Sequence, residues 1–446
     1  MTGIPLAAVV MAAGLGTRMH SSRPKHLHEL LGRRLVDWTL AAASELGPNP
    51  LVVVTSPGTL PELEGTLPEG VRLAVQETPR GTGDAVASAR PELADFTGDV
   101  VVLAGDAPLL SAAELGRLLD VHRTEHAAAT VLSFEPDDPG SYGRIVRDSS
   151  GRLKAIVEAR DATPEQLAIR EVNSSVYVFG AESLWEGLAH LDTDNAQGEL
   201  YLTDAVRHLV DDGRLVAVYR AEDPRVGEGV NTRADLAAAG AELRDQIVAE
   251  HLEAGVTVVD PATTWIEPEV EIEPDTVIHP FTVLRGRTVV RRGAEIGPHA
   301  VVVDAVIGEG ALVGPFCYLR PGTVLAARAK AGTFVELKNA QIGEGTKVPH
   351  LSYLGDAEVG EGTNVGAGTI TANLPHEPGR GKGRTTIGRN VRTGIHNGFE
   401  APVTIGDEAW IGGGSYITED VPARSLAIAR ARQVTKEGYL RGKRND

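Results

Sequence analysis

Two cations and a run of small residues near the start of the chain could hold a polyanion. Arg18 and Lys25 lie beside Ala12-Ala13-Gly14-Leu15-Gly16-Thr17. Small residues permit positive φ and let backbone N–H groups point together at an anion. That composition suits a nucleoside triphosphate. The same loop could equally be a plain turn from strand to helix. It is longer than GxGxxG and lacks the Lys-Ser/Thr of a P-loop, which excludes a dinucleotide fingerprint and a Walker site. Downstream, Gly81-Thr82-Gly83 is either an ordinary turn or, paired with the first loop, a cover over a base, with Gln76 reading the base edge by its amide. Asp106 follows the apolar run Val100 to Leu103 after Ala104-Gly105, a place suited to Mg²⁺ or to capping the next helix. Far along the chain His350 and Tyr353 interrupt a repetitive stretch, with Arg320 and Lys338 on the two preceding coils by register and able to hold a sugar phosphate. A histidine titrates near neutrality, as a base removing a proton from an attacking amine should. A lone histidine in a repeat is more often structural.

The elements that must position these groups fall into two textures. Ala7 to Met11, Leu51 to Val54, Val100 to Leu103, Ala129 to Leu132 and Val176 to Phe179 are apolar runs without alternation, read as buried strands. Helical patterns lie between them, for example Val36 to Leu46 and Ala112 to His126. Strand–helix alternation predicts an α/β doubly wound, mostly parallel sheet over residues 1–232, with ligands beyond the carboxyl ends of the strands. Residues 233–253 predict a linker helix, with Leu236, Leu243, Ile247 and Leu252 near helical spacing. Over 254–446 an aliphatic residue recurs every sixth position, from Ile266, Ile272, Ile278 and Leu284 to Ile405, Ile411 and Ile417, with one-residue slips. A period of six marks a hexapeptide β-helix, each repeat one flat face of a triangular coil.

Composition bounds the rest. At 446 residues the chain is long enough for two or three domains. Its net charge of −18 argues against nucleic acid and membrane surfaces as partners, since both need a positive field. The single cysteine, Cys317, excludes an intrachain disulfide. No leader and no apolar run long enough for a bilayer is evident, so the expected location is cytoplasmic.

The ordered segments GLGTRM, RPKHLH, GTGDA, GDAPLL, SYGRIV, IVEARDA, EVNSS, NAQGELYLTD and GVNTRADL carry a close resemblance. FCYLRPG, FVELK and HLSYLGDAE extend it into the repeat. Together they resemble the bifunctional N-acetylglucosamine-1-phosphate uridylyltransferase/glucosamine-1-phosphate N-acetyltransferase family across essentially the whole chain. The resemblance implies a left-handed β-helix, assembly as a homotrimer, Mg²⁺, and the substrates UTP and acetyl-CoA. It puts Ala13, Gly14, Gly16, Arg18, Lys25, Gln76, Gly81 and Thr82 at the nucleotide, with Arg18 and Lys25 catalytic. Asp106 and Asn231 would hold the metal, and Gly143, Glu158, Asn173 and Asn231 would line the sugar-phosphate site. In the second half His350 would be the general base. Arg320, Lys338, Tyr353 and Asn364 would bind glucosamine 1-phosphate, and Ala367, Asn373, Lys382, Gly413 and Arg430 the acetyl-CoA. Two departures concern the donor: the 373–382 segment replaces the family's NYDGxxK, and Ile395 stands where the family has serine. The alternative is a nucleotidyltransferase whose acyltransferase half is altered or inactive and which acts on a related sugar 1-phosphate.

Overall fold

The computed structural model describes residues 3–14, 16–374 and 381–439. Contacts divide the chain into two compact units, Met1–Leu243 and Arg244–Asp446. The division falls inside the helix Arg233–Glu253.

The first unit is built on strands β1 (Leu6–Ala12), β2 (Leu51–Thr55), β3 (Val71–Val75), β4 (Asp99–Ala104), β5 (Ala129–Phe134), β6 (Arg144–Arg147), β7 (Leu153–Val157), β8 (Val172–Gly180) and β9 (Val216–Arg220). The sheet order is β9-β5-β8-β4-β1-β2-β3, with the β6–β7 hairpin attached to β8. The unbroken apolar runs are explained by burial on both faces. In β1, Ala7, Val9 and Met11 join one core with helices Thr82–Ser88, Ala181–Leu188 and Leu202–Asp211. Ala8, Val10 and Ala12 join the other, against helices Leu35–Ser44 and Ala112–Thr124. Each fully buried valine or leucine contributes roughly 1.5–3 kcal/mol.

Strand β8 departs from the expectation of parallel neighbours. It runs antiparallel between β4 and β5 and begins at Val172, four residues before the predicted run. The chain leaves β5 at Phe134 and, after the hairpin, re-enters opposite that residue, since Val172 pairs with Phe134. A strand entering at the edge where its neighbour ended has to run the other way. The central strands β1, β2 and β4 are parallel, with Met11 opposite both Val54 and Ala104, so their following loops leave at one edge.

The second unit is a left-handed parallel β-helix of hexapeptide repeats. Short strands stack in three parallel sheets, Ile266 pairing with Leu284 and Leu284 with Val302. The predicted aliphatic positions point inward and are buried, except Ile272, which is half-buried. Inward positions outside the predicted series include Ala331, Leu337 and Thr371, because alanine is too small and threonine too polar to mark a period that slips nearby. The corners are turned by residues at positive φ, among them Phe281, His299, Phe316, Phe334 and Leu351. The four rings of that row stack at 4.7–5.2 Å.

Leu337 is fully enclosed and Leu351 is 59% exposed. Leu337→Ala is expected to cost about 2–5 kcal/mol through the cavity it leaves. Leu351→Ala should stay within ~0.5 kcal/mol. Denaturant unfolding of the two variants checks the contrast.

Candidate active sites

In the first unit the edge where β1 and β4 end gathers the predicted residues. A cleft of about 490 Å³ is lined by Ala13, Gly14, Gly16, Lys25, Gln76, Gly81, Thr82 and Asp106, together with Thr17, His26, Ser175 and Glu199. Lys25 opens a short 3-10 turn after Pro24. Its stem passes over Gly16, which has φ +61°, and a Cβ on Gly16 would overlap it. Gly105 donates to the Met11 carbonyl at 2.9 Å, which presses the Gly105-Asp106 turn against the end of β1. Val230 donates to the Asp106 carbonyl at 2.8 Å, bringing Asn231 to the same place. The Asp235 carboxylate accepts from the Asn231 and Thr232 N–H groups and holds that loop at the start of the Arg233 helix.

The Lys25 ammonium donates to Asp106 Oδ2 and, at 3.1 Å, to Asn231 Oδ1. Burial pushes the Asp106 carboxyl up, but the adjacent Lys25 ammonium, together with His26 and a backbone hydrogen bond, holds the group below the ordinary carboxylate range. His26, which the sequence reading did not single out, is buried beside them. Burial, then Lys25, push its pKa down to about 4, and neither ring nitrogen has a hydrogen-bond partner among the described residues. Only its position next to Lys25 in RPKHLH could have drawn attention to it.

The GTG loop is braced from afar. Gly83 donates to the Leu200 carbonyl, Leu200 to that of Arg80, and Leu202 to Thr82 Oγ1. The NAQGELYLTD segment is therefore the second wall of this loop, and the Thr82 hydroxyl serves the brace. Gly81 has φ +118°, and a Cβ there would meet the Leu200 backbone. Gln76 Nε2 donates to Asp84 Oδ2 at 2.8 Å and to the Gly81 carbonyl at 3.1 Å. The amide nitrogen is thus engaged, which leaves the oxygen as the group free to accept from a ligand in the cleft that Gln76 lines. Asp84 was inside a quoted motif but its orienting role was not legible.

Arg18 lines a second cavity of about 300 Å³ with Ser141, Glu158, Arg160 and Tyr201. It also lines a third, of about 560 Å³, with Tyr142, Gly229 and Asn231. Gly143 packs on the Glu158 carboxyl, where a Cβ would sit 3.5 Å from Oε2. Buried Arg144 ties the approach to this glycine by donating to the carbonyls of Gly140 and Tyr142. Asn173 is buried, donating to Tyr177 Oη at 2.7 Å and accepting from Ser175 N–H. Much of its amide is thereby spent on shaping the wall. Burial raises the Glu158 pKa, Thr203 partly offsets this, and Asp161, Asp204 and Glu199 raise it further.

In the second unit the coil register aligns the other predicted residues. Gly368 donates to the His350 carbonyl, His396 to that of Ala367, and Gly414 to that of Ile395. His350, Ala367, Ile395 and Gly413 therefore occupy one column on successive coils, spaced ~4.8 Å apart. Arg430 lies over Gly414, where a Cβ would be 3.8 Å from its Cδ. Asn364 follows the coil of Lys347, three residues before Ala367. Around the corner, Arg320 pairs with Glu336 at 3.0 Å, and Tyr353 is in register with Glu336. Lys338 lies 4.0 Å from Asp356 and against Lys382, whose ammonium pushes that of Lys338 below the ordinary lysine range. Lys382, expected at the acetyl-CoA, thus stands beside Lys338. Asn373 accepts from Thr371 Oγ1 and donates to the Gly383 carbonyl, closing the base of the 373–383 segment. Residues 375–380 of the departing segment lie outside the described residues. Ile395 is 58% exposed. Among the described residues no helix is long and apolar enough to cross a membrane.

Comparison with known proteins covers both units. Residues 8–211 match the MobA-like NTP transferase domain. The protein called bifunctional protein GlmU in Mycolicibacterium gilvum is 48% identical, over 98% of this chain and 92% of that one. Its namesake in Corynebacterium efficiens is 46% identical, over 98% and 94%. That of Mycobacterium tuberculosis is 46% identical, over 98% and 92%.

The raised pKa of Glu158 has a sign that can be measured. A carboxyl that binds its proton more tightly when folded adds stability below its ordinary range, and that stability is lost as pH rises through the raised value. Glu158→Gln should flatten this decline above the ordinary glutamate range, which lies near pH 4, read by urea unfolding at several pH values.

Proposed function

We propose, from the premise that this chain belongs to the family of bifunctional GlmU proteins, which residues carry each of its two reactions. The chain is an enzyme of UDP-N-acetylglucosamine synthesis, a UTP-dependent nucleotidyltransferase and an acetyl-CoA-dependent N-acetyltransferase. In the first unit the phosphate of N-acetylglucosamine 1-phosphate attacks the α-phosphorus of UTP in line, and pyrophosphate leaves. Such a step asks the protein for alignment and charge neutralisation, not covalent help. Lys25 and Arg18 supply fixed cations. The observation that carries the reading is the meeting of Lys25, Asp106 and Asn231 beside the glycine loops.

That meeting also tests the site for Mg²⁺. A carboxylate and an amide oxygen converge on one cation, the hard-oxygen donor set that Mg²⁺ prefers. Asp106 and Asn231 would hold the ion, which when bound neutralises charge on the phosphates. The Gln76 oxygen, left free by Asp84, accepts the N3–H of uracil; cytosine carries an acceptor there and is rejected. Glu158 and Gly143, with Asn173 behind them, receive the sugar.

In the second unit His350 removes a proton from the amine of glucosamine 1-phosphate. The amine attacks the thioester carbonyl of acetyl-CoA, and the thiolate leaves. Arg320, Lys338 and Tyr353 hold the sugar phosphate, with Asn364 nearby. The like-charged pair Lys338 and Lys382 supports this, because a phosphate between them relieves their repulsion. The small residues Ala367 and Gly413 leave room along the column above His350 for the donor, with Arg430 as a cation for its phosphates. The exposed Ile395 in that column favours a second reading, a donor with a larger apolar acyl group, which competition between acetyl-CoA and longer acyl-CoAs decides. A homotrimer built on the β-helix, in the cytoplasm, completes the proposal.

Lys25→Ala and Asp106→Ala should each slow uridylyl transfer by ~10²-fold or more, on the scale of lost transition-state charge stabilisation. Unchanged pyrophosphate release in either variant would refute the assignment. His350→Ala should abolish consumption of acetyl-CoA with glucosamine 1-phosphate and leave UDP-sugar formation intact. Asp84→Ala, by freeing the Gln76 amide, should narrow the preference for UTP over CTP by about tenfold, as measured by kcat/KM for the two nucleotides.

A further inference from the structure

The Lys25 ammonium sits where a cation held by Asp106 and Asn231 would sit. It contacts Asp106 Oδ2 and Asn231 Oδ1, from segments 81 and 206 positions away in sequence. The side chains of Lys25 and Asp106 are 11% and 14% exposed, so water screens the pair weakly. The two acceptors do not depend on the ammonium for their placement. The hydrogen bond from Val230 N–H to the Asp106 carbonyl joins their loops, and Asp235 fixes Asn231 from the other side. Of the other titratable groups near Asp106, His26 is pushed toward its neutral form by burial and Tyr142 is held in its neutral form by burial, so neither offers a competing charge. An ammonium and a divalent ion on the same two oxygens would repel each other strongly. One must leave for the other to enter.

We infer that Lys25 is a built-in placeholder for the divalent cation: without nucleotide it occupies the Asp106 and Asn231 oxygens, and the nucleotide phosphates draw it away and open the site. The inference rests on the reading of Asp106 and Asn231 as metal ligands. Lysine suits the task, being a compact point charge on a flexible four-carbon stem. The stem crosses the bare face of Gly16, so the ammonium can swing toward Gly14 and Thr17, which line the same cleft. Metal and triphosphate then bind with positive coupling, because each removes the obstacle to the other. A free enzyme with Lys25 in place holds divalent metal poorly.

The test is a titration of the full chain with Mn²⁺ in the absence of nucleotide, followed by electron paramagnetic resonance. Lys25→Gln is expected to bind Mn²⁺ about tenfold or more tightly than the unaltered protein, the scale of close charge-pair coupling. Arg18→Gln, which removes a nearby charge that does not touch Asp106, should change the affinity by less than about twofold. Asp106→Asn should lose binding in the Lys25→Gln background. Unchanged or weaker binding by Lys25→Gln, or an equal gain from Arg18→Gln, overturns the placeholder while leaving the ligand assignment in place. Full binding by the Lys25→Gln, Asp106→Asn double variant overturns the assignment itself. Should Lys25→Gln fail to fold, amine-reactive labelling of the unaltered protein read by mass spectrometry decides. Labelling of Lys25 should rise several-fold at saturating Mn²⁺, and a flat response refutes the exchange.

Discussion

The first unit depends on one ionic contact, in which an ammonium draws a carboxylate and an amide oxygen to a single point. Three distant segments have to arrive there together: the loop after β1, the turn after β4, and the loop before the Arg233 helix. Parallel strands in register bring the first two, since Met11 stands opposite Ala104 and the chain turns immediately afterwards. The third is tied by a backbone hydrogen bond to Asp106 itself. The doubly wound sheet is in this sense a device for making three loop ends coincide. Its apolar strands, buried on both faces, resist the strain of holding charge in a half-dry cleft.

The second unit solves placement by another route. A coil that repeats in space turns sequence separation into a straight line, so residues one coil apart share a column. His350, Ala367, Ile395 and Gly413 are aligned by that register alone. Side chains around the corner, from Arg320 and Lys338 to Tyr353, come from successive coils of a neighbouring face. Small residues along the column leave an open surface, while beside it the Lys382 ammonium holds that of Lys338 below the ordinary lysine range. Precision here needs no packed loops, because the solenoid core of stacked aliphatic residues fixes every coil against the next.

Several groups act on others more than on a ligand. Asp84 orients Gln76, Leu200 and Leu202 brace the glycine loop, and Asn373 closes a segment of its own coil. The Asn173 amide is engaged with Tyr177 inside the wall of the first unit. In each case the residue type was plain in the sequence, whereas its partner was not.

The sequence by itself determined the two architectures, because they are written in periods. Unalternating apolar runs demand strands covered on both faces, and an aliphatic residue every sixth position demands a triangular coil. It also determined the chemical inventory: the glycine loops, Lys25, Asp106, Asn231, His350 and the basic residues near it. Only the tertiary structure decided that β8 runs antiparallel, since direction depends on the edge at which the chain re-enters the sheet. Only it decided that Lys25 rests on Asp106 and Asn231, that His26 is buried beside them, and that Lys382 meets Lys338. These are contacts between residues far apart in the chain. Local propensity and spacing are silent about them, because their energy exists only once the fold has brought the groups together.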